Sequence, residues 1–386
     1  MTDAFIVDAV RSPIGKRNGA LASLRADELA GQVLNALVER NGLDPAEVED
    51  VQMGCVSQVG EQGWNIARMA ALVAGWPESV AGSTVDRQCG SSLQAAFNAA
   101  SAVSSGQLDV VVAAGVESMS RVPMGSNLGA EGFEGFSDKL YEQWQIVPQG
   151  ISAELIAEEW GLSRAELDAY SYESHRRALA AIEEGRFERE VVTVEVSNPH
   201  TGVIFGVDET PRAGTSLEAL AALKPAFLPE GKVTAGNSSQ ICDGAAAVLV
   251  ASEAACSHLG LEPRARYVAF GLVGVDPRLM LYGTPEACSR ALRRAGLAWD
   301  DIAVVEVNEA FASVALQFMR DSGLEERWMD VNPNGGGISL GHPLGATGAR
   351  VTATLLNELE RREARYGIAC MCIGFGQAIA GILERL

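Results

Sequence analysis

The stretch "ALVERNGLDPAEVEDVQMG", Ala36 to Gly54, decides the fold, because the chain repeats its pattern. "ALRRAGLAWDDIAVVEVNEA", Ala291 to Ala310, runs in the same order of helix end, Gly-Leu, acidic turn and apolar strand. Gly42-Leu43 meets Gly296-Leu297 at an offset of 254 residues, and at that offset Val48 and Val51 fall on Ile302 and Val305. With one residue deleted in the second copy, Ala36-Leu37 meets Ala291-Leu292. Each copy is followed by a Gly-rich turn, a helical run and a strand, "LDVVVAAGVES" in the first and "YGIACMCIGFG" in the second. Two βαβ-type halves follow from this, and duplicated halves pack as pseudo-symmetric lobes with functional loops between them.

Moving outward, the strand-like runs "AFIVDAV", "DVVVAAG", "AAAVLVAS" and "IAVVEV" alternate with amphipathic helical runs, which points to α/β layers. A chain of 386 residues has room for two core-sized units. Between the halves, from Ser120 to Ala235, the texture changes to Gly-rich turns and a charged helix, "MGSNLGAEGFEGFSD" among them. An excursion of that length reads as a lid or binding insertion. The expected units are therefore residues 1–119, an insertion over 120–235, a return segment over 236–263 and a second half over 264–386.

Composition excludes several function classes. The net charge of −20 argues against nucleic acid or an anionic membrane surface as partner, so an anionic small ligand needs a local basic group at its site. Seven cysteines without framework spacing and an N-terminus lacking signal-peptide character point to reduced thiols and a cytoplasmic chain. Four histidines and no CxxC pair make a metal site poorly supported, and none is expected.

Four short motifs carry the chemistry. In "VDRQCGSSLQ", Val85 to Gln94, Cys89 follows a strand end and precedes Leu93, Ala96, Phe97 and Ala100 at helical spacing. That places it at a helix N-terminus, which favours a thiolate; a buried structural cysteine is the plainer alternative. His342 lies in the Gly/Pro-rich turn "GHPLGATG", as an exposed loop residue or as the base that takes the Cys89 proton. Cys372 leaves a strand into "IGFG", as a small core residue or as an acid/base exchanging a proton with a carbon acid, with Gly374 and Gly376 allowing backbone N–H groups near an oxygen. Cys370 shares its face of the strand by parity. Asn308 opens "NEAFASVALQFM", as a plain N-cap or as an amide holding water at an oxyanion, while Glu309 is placed to orient its neighbours or pair with a backbone amide.

Together, "VDRQCGSS", "VTAGNSSQICDGAAA", "VNEAFA", "NPNGGGISLGHPLGATGAR" and "CIGFGQA", in colinear order over nearly the whole chain, resemble the signature segments of the thiolases, the acetyl-CoA acyltransferase family. "VDAVRSPIGKRNGAL" and "AGVESMSRVPMG" fit as well. The resemblance implies an α-β-α-β-α five-layer sandwich of two duplicated halves, with the insertion forming a loop domain over coenzyme A, and a homodimer or homotetramer. It implies reversible, CoA-dependent cleavage of a 3-ketoacyl-CoA to acetyl-CoA and a shortened acyl-CoA through an acyl-cysteine, with coenzyme A as substrate and no prosthetic group. Carried over by residue, Cys89 is the acylated nucleophile and His342 its activator. Cys372 is the acid/base at the departing enolate, and Asn308 holds the water of one oxyanion site. The N–H groups of Cys89 and Gly374 form the other, and Cys370 is structural. For coenzyme A the resemblance points to Ser239, Ala235 and Gly236 on the pantetheine arm, Phe311 as a pocket aromatic and Arg212 at the adenine; a turn hydroxyl and a solvated charge are the alternatives for Ser239 and Arg212. Ser92 and Phe375 depart from the glycines usual at those places. "ESMSRVPMG" and "DRQCGSS" resemble degradative members, of fatty-acid or sterol side-chain breakdown, more than the biosynthetic branch that forms acetoacetyl-CoA; a non-catalytic acyl-CoA or lipid-binding relative is the alternative from another class.

Overall fold

The glycine in each repeated stretch adopts a left-handed conformation, Gly42 at φ +59° and Gly296 at φ +68°. A side chain there costs roughly 1–2 kcal/mol, and glycine avoids it. In the computed structural model, which describes residues 3–198 and 201–386, both glycines end a helix and send the chain through a 3₁₀ turn into a strand. The first half runs β1 (Phe5–Arg11), β2 (Gly15–Lys16), α1 (Ala26–Arg40), β3 (Asp50–Gly54), α2 (Ile66–Val73), β4 (Ala81–Val85), α3 (Ser91–Ser104) and β5 (Val110–Ser118). An excursion carries α4 (Asp138–Gln143), α5 (Gln149–Glu159), α6 (Arg164–Glu183), the hairpin β6 (Val194–Asn198) and β7 (Thr201–Phe205), and α7 (Leu217–Ala221). The chain returns through β8 (Cys242–Ala251) and α8 (Glu253–Leu259). The second half follows with β9 (Ala265–Gly274), α9 (Thr284–Ala295), β10 (Ile302–Val307), α10 (Ala312–Ser322), α11 (Thr347–Arg361), β11 (Tyr366–Ile373) and β12 (Gln377–Arg385).

The sheet order, β10-β11-β12-β9-β1-β8-β5-β3-β4, reads the same from both ends once β9 is matched to β1, β12 to β8, β11 to β5 and β10 to β3. The two half-sheets meet at a short seam, Phe5 opposite Arg266 and Ile6 opposite Ala265. The outermost strand is where the symmetry thins: β4 pairs along all of β3, whereas its counterpart is a single bridge between Val305 and Val331.

Alternation along the strands divides the core into the expected layers. In β8, Ala245, Ala247 and Leu249 face a core shared with α1 and α2, while Ala246, Val248 and Val250 face one shared with α3 and α11. In β11, Ala369 and Met371 face that same central core, and Ile368 and Cys370 face α9 and α10. The layers are thus helices, half-sheet, the pair α3 and α11, half-sheet, helices. The central pair approaches closely: a Cβ on Gly348 would lie 2.1 Å from the backbone nitrogen of Leu93. This crossing brings the N-terminal turns of α3 and α11 together, and the site is built around them.

Candidate active site

Cys89 lies in a 3₁₀ turn, Gln88–Gly90, between β4 and α3. The Ser91 hydroxyl pins the turn by accepting the Arg87 N–H at 3.0 Å and donating to the Gln88 carbonyl at 2.6 Å. Ser92, the departure from glycine, accepts the Ala349 N–H in the first turn of α11 at 2.9 Å, so its hydroxyl fastens the two central helices. The Cys89 side chain is buried among Ile14, Val56, Met119, Cys242 and Leu344. Gln149 Nε2 stands 4.0 Å from Sγ, and the N–H groups of Cys89 itself and of Gly374 are aimed at the sulfur.

The expectation of a thiolate at this helix start fails. Burial pushes the Cys89 thiol up to about 11, outweighing its hydrogen-bond donors, and the nearby Glu117 carboxylate adds to the rise. A thiol with a raised pKa is protonated at neutral pH, and its thiolate fraction grows as pH rises toward that value. Inactivation of the free protein by iodoacetamide at Cys89 is therefore expected to accelerate by roughly tenfold per pH unit between about pH 7 and 10. A plateau below about pH 8.5 would contradict this electrostatic description.

His342 is buried, not an exposed loop residue. Its Nδ1 lies 2.6 Å from Thr347 Oγ1, whose own proton goes to the Pro343 carbonyl at 2.8 Å. The hydroxyl can then only accept from Nδ1–H, which leaves Nε2 as the free lone pair. Nε2 faces Asn308 Nδ2 at 3.2 Å. Burial, with Arg350 nearby, lowers the imidazole to about 3, so it is neutral and can accept a proton. Asn308 is not a helix cap: α10 begins at Ala312 with Phe311 at the cap position, and the Asn308 N–H continues the strand by bonding the Cys370 carbonyl at 2.9 Å. Its Oδ1 is buried without a protein partner.

Cys370 and Cys372 share a face of β11 but meet different surroundings. Cys370 packs with Cys288 of α9 in the outer core, whereas Cys372, two residues on, reaches the end of the strand among Ala310, Phe311 and Ile338. Burial raises the Cys372 thiol well above its ordinary value, and Cys89 is close enough to raise it further. After Cys372, β11 turns into β12 through Phe375 at φ +58° and Gly376 at φ +79°. Phe375 therefore holds a conformation unfavourable to a bulky residue.

The residues assigned to coenzyme A divide into two groups. Arg212, Ala235 and Gly236 line one cleft of about 320 Å³ with His175, Leu220 and Gln240. Arg212 is exposed; its N–H bonds His175 Nδ1 at 3.1 Å and its guanidinium reaches Gln240 Oε1 at 3.4 Å. Ser239 and Phe311 do not line that cleft. They lie farther along, where Ser239 N–H bonds the Ala310 carbonyl at 2.9 Å and Ser238 bridges Phe311. The same segment continues to Gln240, whose carbonyl accepts the His342 N–H at 3.3 Å.

Several positioning residues went unread in the sequence. Glu117 gathers three loops by accepting from the N–H groups of Val56, Ser57 and Gly345 and from Gln62. Gln149 arrives from the excursion, and Thr347 fixes the His342 tautomer. Glu309, unlike these, meets the sequence expectation of a backbone-amide partner, Ile338 N–H at 3.1 Å, and it also accepts from Tyr170 and Ser174. Only the Ser/Thr- and Glu-bearing motifs themselves hinted at these contacts, whose partners lie 29 to 228 residues away for Glu117 and Glu309.

Comparison with known proteins agrees with this architecture. Residues 4–254 match the model of the thiolase N-terminal domain and residues 261–385 that of the thiolase C-terminal domain. A steroid 3-ketoacyl-CoA thiolase of Mycobacterium tuberculosis is 48% identical over 395 residues, covering 100% of this chain and 95% of the relative. A beta-ketoadipyl-CoA thiolase of Acinetobacter baylyi is 45% identical over the full length of both. The acetyl-CoA acetyltransferase of Bacillus anthracis superposes with a TM-score of 0.92 at 40% identity, over 100% of this chain and 99% of that one. With both family domains matched in order along nearly its whole length, the chain belongs to the thiolase family.

Proposed function

We propose that this protein is a degradative thiolase that cleaves 3-ketoacyl-CoA with free coenzyme A by a ping-pong route through an acyl group on Cys89. The observation that carries this reading is the pairing of two buried thiols, Cys89 and Cys372, with the N–H of Gly374 aimed at the first; the neutral imidazole of His342 is the base in this scheme. His342 Nε2 takes the Cys89 proton as sulfur attacks the ketone carbon. The C–C bond breaks, and the Cys372 S–H protonates the departing acetyl-CoA enolate, leaving acyl-Cys89, imidazolium and a Cys372 thiolate. Coenzyme A then gives its thiol proton to Cys372 and attacks the thioester, and the released Cys89 recovers its proton from His342. Charge on the thioester oxygens is met by the N–H groups of Cys89 and Gly374, and at the second oxygen by His342 with a water on Asn308, whose unpartnered Oδ1 supports that role. No metal or prosthetic group enters this scheme.

The excursion serves as the coenzyme A-binding loop domain in this reading, with 120–235 as its span and 1–119, 236–263 and 264–386 as the catalytic halves. Arg212 supplies positive charge for the nucleotide end, and the turn from Ala235 through Ser239, beside Phe311, guides the pantetheine arm toward Cys89. The names of the steroid and beta-ketoadipyl relatives support the degradative direction. A second copy of the chain is the proposed partner, as a homodimer or homotetramer. β4 is an edge strand, and beside it Trp64 is 94% exposed, with Asn65 bonded to Gly82 and Thr84. No helix among the described residues is long and apolar enough to cross a membrane. The seven unpaired, buried cysteines support a reducing compartment, the cytoplasm.

The test is thiolysis, with free coenzyme A, of a 3-ketoacyl-CoA series rising from acetoacetyl-CoA. Cleavage extending to longer or bulkier members is the expected result. Activity confined to acetoacetyl-CoA would replace the proposal with the biosynthetic reaction, and none at all with an acyl-CoA-binding role.

A further inference from the structure

One segment of the excursion touches the nucleophile's surroundings three times. It leaves β5 at Met119, which packs beside Cys89, and Asn127 Nδ2 bonds the carbonyl of Val56, another neighbour of Cys89, at 3.4 Å. It returns at Gln149, 4.0 Å from the Cys89 sulfur. Midway, Phe136 meets Phe375 edge to face, with ring centroids 5.5 Å apart and planes at 81°, and Phe133 meets Phe136 in the same way at 5.7 Å. Phe375 follows directly on Gly374, whose N–H faces the sulfur. The turn that aims this N–H at the sulfur thus also carries the ring that meets Phe136.

The rest of the arch is apolar and uncovered, with Met124, Phe133, Tyr141 and Trp144 exposed by 40 to 55%. Such a cluster of exposed large apolar groups marks a binding surface. Its charges are Glu131, Glu134, Asp138 and Glu142 against Lys139, while Arg121 is committed to Glu61 at 2.7 Å. A terminal carboxylate on the acyl group would meet repulsion here, and the acetyl group that acetoacetyl-CoA leaves on Cys89 has no apolar body for these rings to pack against.

Resting on the thiolase reading above, we infer that the Phe375 and Phe136 rings are specificity-determining contacts for uncharged acyl groups carrying a ring or a long apolar body. The left-handed backbone at Phe375 supports this assignment. A conformation that glycine would adopt freely is retained with an aromatic side chain, and that ring is turned toward the excursion.

The experiment compares kcat/KM for acetoacetyl-CoA, 3-oxodecanoyl-CoA, 3-cyclohexyl-3-oxopropanoyl-CoA and 3-oxoadipyl-CoA in the unaltered protein, Phe136→Ala and Phe375→Gly. The expected result is a preference for the two bulky neutral substrates, and in each variant a fall of about tenfold in the ratio of their kcat/KM to that of acetoacetyl-CoA. Phe375→Gly should melt no lower than the parent, since glycine relieves the backbone there. Preference for the dicarboxylic substrate, an unchanged ratio, or an equal loss on all four substrates would overturn the inference while leaving the thiolase reading intact. If the unaltered protein cleaves none of the four, it is that reading which falls.

Discussion

Replacing one atom, sulfur by oxygen in Cys89→Ser, is expected to lower cleavage of any 3-ketoacyl-CoA by about 10⁴-fold or more while leaving the fold in place. The side chain fills nearly the same space among Ile14, Val56 and Met119, so the packing survives. What is lost is the nucleophile: an alcohol surrenders its proton to a neutral imidazole far less readily than a thiol, and the desolvation that already raises the Cys89 thiol penalises an alkoxide more. Mass spectrometry after incubation with acetyl-CoA should show an acetyl adduct on the parent and none on the variant. A variant that still carries the adduct, or keeps turnover within about tenfold of the parent, would remove Cys89 from the role assigned to it.

The second large effect separates the two thiols. Cys372→Ala is expected to retain slowed exchange of labelled coenzyme A into acetyl-CoA, because the fraction of coenzyme A already present as thiolate enters and leaves Cys89 without passing a proton to Cys372, yet to lose C–C cleavage by about 10³-fold, within the range of a general acid's contribution. Burial and the neighbouring Cys89 hold the Cys372 thiol well above its ordinary pKa, so it carries its proton at neutral pH and is ready to give it to an enolate. Alanine has no proton to give. Equal loss of exchange and cleavage would mean that Cys372 supports the site only by packing.

The paired halves were legible because duplication leaves its trace in backbone demands: the same Gly-Leu step ends a helix at Gly42 and again at Gly296. The thinning of the second copy at its outer strand was not, since a single bridge at Val331 leaves no periodic run to read. At the site, Cys89, His342, Asn308 and Cys372 stood out as candidates from motif chemistry and the family resemblance, but their surroundings did not. The helical pattern after Asn308 suggested a cap because apolar spacing begins before the helix does; β-type pairing of Ser238 with Phe311 delays the turn until Ala312. The thiolate expected at Cys89 gave way because desolvation depends on neighbours from four distant segments, Ile14, Val56, Met119 and Leu344, none visible in the local sequence. Glu117 was hidden for the same reason, its acceptor role being defined by amides from Val56 to Gly345.

The central pair of helices also bears on how such a chain arose. α3 belongs to one half and α11 to the other, and each covers the inner face of both half-sheets only with its counterpart present. A gene encoding one half would give a product with a bare apolar sheet face, soluble only as a symmetric pair with two equivalent clefts. Two such halves joined in one chain are free to differ from each other. In this chain the turn before α3 carries Cys89 and the turn before α11 carries His342, so the two copies bring different side chains to the one crossing. In the reading proposed above, the division of labour between the two loops is broken symmetry put to use.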